Sequence, residues 1–125
     1  MPRKNDTAPG ARDGPRLSLR LDLGAGLRIG PGKVGLLEAV GRTGSISAAG
    51  RSLEMSYRRA WLLIEDLNLG LGTPVVETAT GGSGGGGARL TPAGEAVIRN
   101  YRRIEAAAGE AAGPDIQALL AVRRG

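Results

Sequence analysis

Residues 16–23 read RLSLRLDL. Leu17, Leu19, Leu21 and Leu23 fall on one face, and Ser18, Arg20 and Asp22 on the other. This period of two predicts a half-buried strand, with residues 25–30 adding a short paired segment or a turn. The spacing then changes. Pro31 and Gly32 open a helix that runs to about residue 42, with Val34, Leu37, Ala39 and Val40 on its apolar side and Gly44 ending it. Ser45 has the chemistry of an N-cap for a short second helix through residue 53. Glu54 and Met55 make a turn, and Ser56 caps a third helix to about residue 69. Its helical stripe is Ala60, Leu63, Ile64 and Leu67, and Gly70, Gly72 and Pro74 break it.

The pattern reverts to β at residues 75–80, VVETAT. GGSGGGG follows, then a second β segment over residues 88–90. Thr91 is an N-cap with Pro92 at the first helical position, and Glu95 gives something close to a capping box. The last helix runs to about residue 112. Val97, Tyr101, Ile104, Ala108 and Ala112 follow at intervals of 4, 3, 4 and 4, a narrow seam of coiled-coil type, until Pro114 stops it. The remaining residues 113–125 form a tail that frays or adds a short amphipathic helix. The order is strand, three helices, strand, glycine loop, strand, long helix. It predicts an α+β fold, mainly α: a winged helix-turn-helix over residues 16–112, with an N-terminal strand, a Gly-rich β-hairpin wing and a long C-terminal dimerisation helix over residues 92–112. Residues 1–15, rich in Pro, Gly and mixed charge, suit a disordered basic arm.

The second and third helices meet the demands of a helix-turn-helix. Ala49 and Gly50 are small where the helices cross, Leu53 and Met55 bracket the turn, and Ala60, Leu63 and Ile64 face inward. Glu54 stands where many such turns have Gly. Ser56, Tyr57, Arg58 and Trp61 then lie on the outward N-terminal part of a recognition helix, the part that enters a major groove. Arg58 and Arg59 can donate paired hydrogen bonds to guanine or phosphate, or form a solvated pair. Trp61 is either tucked under the helix or turned to DNA. Ser45 and Ser47 stand at the start of the second helix, where backbone N–H groups can hold a phosphate while the hydroxyls cap. The apolar side of the last helix packs either on its own domain or, as the narrow seam and its alanines favour, against a second helix at close range, hence a homodimer through Val97, Tyr101, Ile104 and Ala108.

Composition sharpens this. The chain has 125 residues, 41% apolar, with no Phe, one Trp and two Tyr, so its core is aliphatic. The net charge is +5, which suggests an acidic partner, nucleic acid first. Neither Cys nor His occurs, which excludes disulfides, zinc fingers, Cys nucleophiles and His acid–base chemistry. No catalytic residue, metal or cofactor is predicted. No apolar run reaches a membrane span of roughly 18 residues, and the N-terminus has no signal-peptide core, so the expected location is cytoplasmic, with no membrane partner.

GSISAAGRSLEMSYRRAW, followed by VETATGGSGGGGARLTPAGE, resembles the N-terminal DNA-binding domain of ModE-type, molybdate-responsive transcription regulators, itself related to the LysR-type winged helix. The similarity covers about residues 33–106. Its most specific part is ETATGGSGGGGARLT with Gly94, and the second is the S-Y-x-x-A-W start of the recognition helix. The resemblance implies a dimer on double-stranded, palindromic operator DNA. It makes Ser56, Tyr57, Arg58 and Arg59 the recognition-helix readers and lays the wing, with Gly82, Ser83, Gly84, Gly85 and Arg89, along the minor groove or backbone. It also implies a bacterial, nucleoid-associated regulator. The family's C-terminal Mop-type molybdate-binding domains have no counterpart before Gly125, so DNA binding without a built-in sensor or small-molecule ligand is expected. The alternative is a protein-interaction module that pairs with a separate sensor subunit.

Overall fold

The computed structural model describes residues 14–79 and 87–123. Nearly all of the expected N-terminal arm, and the glycine tip with Gly82, Ser83, Gly84 and Gly85, lie outside the described residues. Strands β1 (Leu21–Asp22) and β2 (Arg28–Ile29) form an antiparallel hairpin, with Leu21 opposite Ile29. Helices α1 (Pro31–Thr43), α2 (Ile46–Ser52) and α3 (Tyr57–Leu71) follow, then strands β3 (Val76–Ala79) and β4 (Gly87–Leu90) and the long helix α4 (Pro92–Val122). None of these helices is long and apolar enough to cross a membrane.

The strand expected over residues 16–23 keeps only two ladder residues, because its partner is cut short where Pro31 starts α1. The period of two still shows in burial: Leu17, Leu19 and Leu21 are half-buried while Ser18, Arg20 and Asp22 are exposed. Leu23 departs from it at 56% exposure. The Leu19 carbonyl finds a partner elsewhere and accepts a 2.7 Å hydrogen bond from the Tyr101 hydroxyl.

Helix α1 is the centre of the fold. Val34, Leu36, Leu37, Ala39 and Val40 are fully buried against α2, α3, β4 and α4. Gly44 ends α1 in the left-handed region at φ 72°, and its N–H returns to the Val40 carbonyl. The Gly44 carbonyl in turn accepts from the Ala88 N–H at 2.9 Å, which docks the wing on the end of α1. Ser45 caps α2 by accepting from Ala48 N, and Ser56 caps α3 by accepting from Arg59 N. Between these helices, a Cβ on Gly50 would lie 3.2 Å from the Met55 carbonyl oxygen and 3.3 Å from the Ala60 methyl. The small residue at the crossing is therefore a packing requirement. Glu54 takes φ 60° in the turn, the conformation Gly usually supplies.

The wing strands pair antiparallel, Val76 with Leu90 through Ala79 with Gly87. Asn68 at the end of α3 accepts from the Val75 N–H at 2.8 Å and fixes the entry to β3. Thr91 caps α4 by accepting from the Gly94 N–H, and its hydroxyl donates to the Pro74 carbonyl. Glu95 sits one position beyond the place a capping box needs. Gly94 lies so close to β3 that a Cβ would overlap the Val75 carbonyl oxygen.

Two expectations about α4 change. Pro114 does not stop the helix, which continues to Val122. Pro disfavours helix by losing an N–H and by crowding the Cβ of the residue before it. Here that residue is Gly113, with no Cβ, and the flanking alanines and leucines are strong helix formers. The residues 113–125 expected as a tail thus mostly extend the helix. Nor does the seam stay whole. Tyr101 is 2% exposed in the core of its own domain, while Ile104 is 43% exposed and Val97 and Ala108 are half-buried. Beside Tyr101, Arg102 grips Glu38 of α1 at 2.7 and 3.0 Å and Glu105 at 2.8 Å. The hydrogen bond from Arg102 holds the Glu38 carboxyl below its ordinary range, while burial pushes the Tyr101 hydroxyl up.

Candidate nucleic-acid interface

At about 100° per residue, the buried side of α3 is set by Ala60, Ile64, Leu67 and Leu71. The opposite direction runs through Arg58, Leu62, Glu65 and Leu69. Tyr57 and Trp61 flank that line on one side, and Arg59 and Asp66 on the other. Tyr57, Trp61 and Leu62 are 57%, 42% and 45% exposed, so three large apolar side chains stand in solvent on the first half of this helix, with Leu69 exposed near its end. Trp61, expected either under the helix or outside it, is outside. Exposed apolar side chains grouped in this way mark a surface that a partner covers. Arg58 and Arg59 are exposed beside them, and among the described residues neither makes a salt bridge.

On the Tyr57 side, the N-terminal end of α2 and the wing close a shallow cleft. Ser45, Ser47, Tyr57, Thr78, Ala79 and Gly87 line it. The folding reason is local. The Gly44 turn sets the start of α2, and its carbonyl holds β4 beside that start. The Ser45 hydroxyl is engaged as a cap, and Ser47 accepts from Arg51 at 3.1 Å, so both serines have intramolecular partners that a phosphate would join or displace. Arg89 extends from β4, 82% exposed, and pairs with Glu77 directly across the hairpin at 3.2 Å. Such an exposed pair is worth at most about 1 kcal/mol, so it holds Arg89 in place without committing it.

The structure gathers Ser45, Ser47 and Tyr57 beside the wing and Ser56, Arg58 and Arg59 in a separate groove along α3, with Trp61 exposed on α3 and Arg89 on β4. Val97, Ile104 and Ala108 lie on α4 apart from them, with Tyr101 turned into the core. Two features were missed in sequence. Leu62 sits at the centre of the outward face, where helical spacing from Arg58 would have placed it. Glu77 faces Arg89, which needed the strand register.

Comparison with known proteins agrees with this geometry. The family description "Bacterial regulatory helix-turn-helix protein, lysR family" matches residues 33–95. The chain is 54% identical over 81 residues to the molybdenum-pterin-binding protein MopB of Rhodobacter capsulatus, an alignment covering 65% of this chain and 30% of that protein. It is 40% identical over 83 residues to the DNA-binding transcriptional dual regulator ModE of Escherichia coli K12, covering 66% and 32%. The chain thus spans about a third of the length of the curated relatives it matches. Among solved structures it resembles the DNA-binding domain of CbnR in complex with DNA, with a TM-score of 0.54, 26% identity, and coverage of 70% of this chain and 94% of that one. With the fold, the turn geometry and more than half of its length in agreement, the chain belongs to the lysR family of bacterial regulatory helix-turn-helix proteins.

Proposed function

We propose that the chain is the DNA-binding part of a transcription regulator, placing the N-terminal half of α3 in the major groove and its wing on the flanking backbone. The observation that carries this is the exposed cluster Tyr57, Arg58, Trp61 and Leu62 on a helix whose other face is fully packed. Arg58 is the base reader by position. Ser56 and Arg59 stand beside it at the border of the groove, and Leu62 offers an apolar contact to a thymine methyl. Ser45, Ser47, Arg89 and the glycine tip (Gly82, Ser83, Gly84, Gly85) contact phosphate. The names of MopB and ModE support a link to molybdenum metabolism.

A homodimer on a palindromic operator follows in the same reading. Leu21, Leu23, Val97 and Ile104 line an apolar groove between the N-terminal hairpin and α4, a surface suited to a second copy. Half-sites should then be spaced about 34–36 Å, or a multiple of it. Selection of bound duplexes from a random pool, followed by gel shifts, tests both statements. Expected is a two-fold symmetric consensus with binding that weakens steeply with salt. Recovery of no consensus, with salt-insensitive binding, refutes the reading. Arg58→Ala should cost about 1–3 kcal/mol on the consensus and less on random DNA. Equal losses on both would reassign Arg58 to phosphate.

The second reading is a docking module for a separate sensor protein. Leu119 and Val122, 70% and 75% exposed near the end of α4, favour it. Co-purification of a partner by a chain that selects no DNA would establish it.

A further inference from the structure

A second concave surface lies on the Arg59 side of α3. Arg20, Arg28, Lys33, Arg59, Leu63 and Asp66 line it, drawn from the N-terminal hairpin, the start of α1 and α3. Lys33 is half-buried. Its Nζ donates to the Arg28 carbonyl at 2.7 Å and lies 3.9 Å from Asp66. Lys33 therefore anchors β2 and offsets the one carboxylate in the cleft. Arg20, Arg28 and Arg59 are exposed, and among the described residues they make no salt bridge. Three exposed arginines thus line one hollow whose described carboxylate, Asp66, is offset by Lys33, and this excess of positive charge favours an anion there.

Position selects the anion. The hollow shares Arg59, Leu63 and Asp66 with the groove beside Ser56, Arg58 and Leu62, so it continues the recognition face without a break. On α3, Tyr57 and Arg59 point about 200° apart around the helix axis. The wing and α2 flank the Tyr57 side, and the basic hollow flanks the other. A helix in a major groove has a phosphate wall on each side. Resting on the DNA-binding reading above, we propose that Arg20, Arg28 and Arg59 form a second phosphate-binding site. It clamps the backbone wall opposite the wing and extends the footprint beyond the base pairs read by α3.

The test compares the full chain with Arg20→Gln/Arg28→Gln, which keeps polar side chains of similar reach on the hairpin. Arg99→Gln/Arg103→Gln makes the same change of charge at exposed positions of α4. Binding is measured from 50 to 200 mM salt on the selected duplex with long flanks and on the same duplex trimmed to its half-sites, with hydroxyl-radical footprints of the long one. If each arginine neutralises one phosphate, the hairpin variant loses about 1.8 from the slope of log affinity against log salt. Its deficit against wild type then narrows roughly 12-fold across that range. Protection of the flanking backbone is lost, and the deficit largely disappears on the trimmed duplex. The α4 variant keeps the wild-type slope and footprint. A hairpin variant with wild-type slope and footprint overturns the site while leaving DNA binding intact, as does an α4 variant that loses as much as the hairpin variant. A wild-type chain that binds neither duplex overturns the DNA reading itself.

Discussion

Replacing Tyr101 by Phe removes a single oxygen, and the structure fixes what that costs. The hydroxyl donates 2.7 Å to the Leu19 carbonyl, from a ring that is 2% exposed. A hydrogen bond of this kind contributes a net ~1 kcal/mol, rising toward 3 if the abandoned carbonyl stays dry. The ring itself remains, so no cavity term is added. For a domain of about 100 residues, 1 kcal/mol lowers Tm by roughly 5 °C. The loss should be the same at 2 and 200 μM protein, because the bond is within one chain, whereas a residue at a subunit seam acts through a concentration-dependent equilibrium. Hydrogen exchange should also quicken in residues 17–22, which this bond ties to α4. Thermal melts at both concentrations and exchange by mass spectrometry provide the measurement. A Tm unchanged within 1 °C, or a loss present only at low concentration, would refute the intramolecular role.

Glu54→Gly should raise stability by about 1 kcal/mol, since φ 60° strains a side chain and suits glycine; a chemical melt with an unchanged or lower midpoint would refute the strain. Gly94→Ala should lower stability by at least ~2 kcal/mol, because the Val75 carbonyl must move to admit a methyl; near-native melting would show that β3 yields freely. Glu38→Gln should destabilise at neutral pH and change the acid response. The folded pKa of Glu38 is depressed, so its contribution is present above the ordinary carboxylate value of 4.5 and fades as pH falls through the lower folded value. Stability curves of wild type and variant should therefore converge in acid; parallel curves would refute the linkage.

Local chemistry made much of the fold legible. Ser45, Ser56 and Thr91 cap the helices they precede, and Gly44 closes α1, because caps act within four residues of their own position. The helix-turn-helix crossing at Gly50 was equally local. What depended on distant partners was not legible. Leu17 and Leu19 keep their face but lose their ladder, since the strand they needed ends at Ile29. Tyr101 has the spacing of a seam, and the same spacing serves a core; only the chain folding back from residue 19 decides between them. The Arg102–Glu38 tie spans 64 residues and left no pattern at all. Pro114 misled in the opposite way, as a local breaker outweighed by its glycine neighbour and the helix around it. At the candidate site, the positions on α3 followed from helical spacing, whereas the basic hollow required the hairpin and α1 to be brought beside Arg59.

The Tyr101–Leu19 bond also sets an order in time. Its partners are 82 residues apart, and the earlier one leaves the ribosome first. At 5–20 residues per second, the N-terminal segment waits roughly 4–16 s before the side chain that holds it has been made. Late in that interval Leu17 and Leu19 still have no α4 to rest on, while α1, α2 and α3 have one another. The recognition unit can therefore assemble first, and the first-made segment is among the last to be fastened.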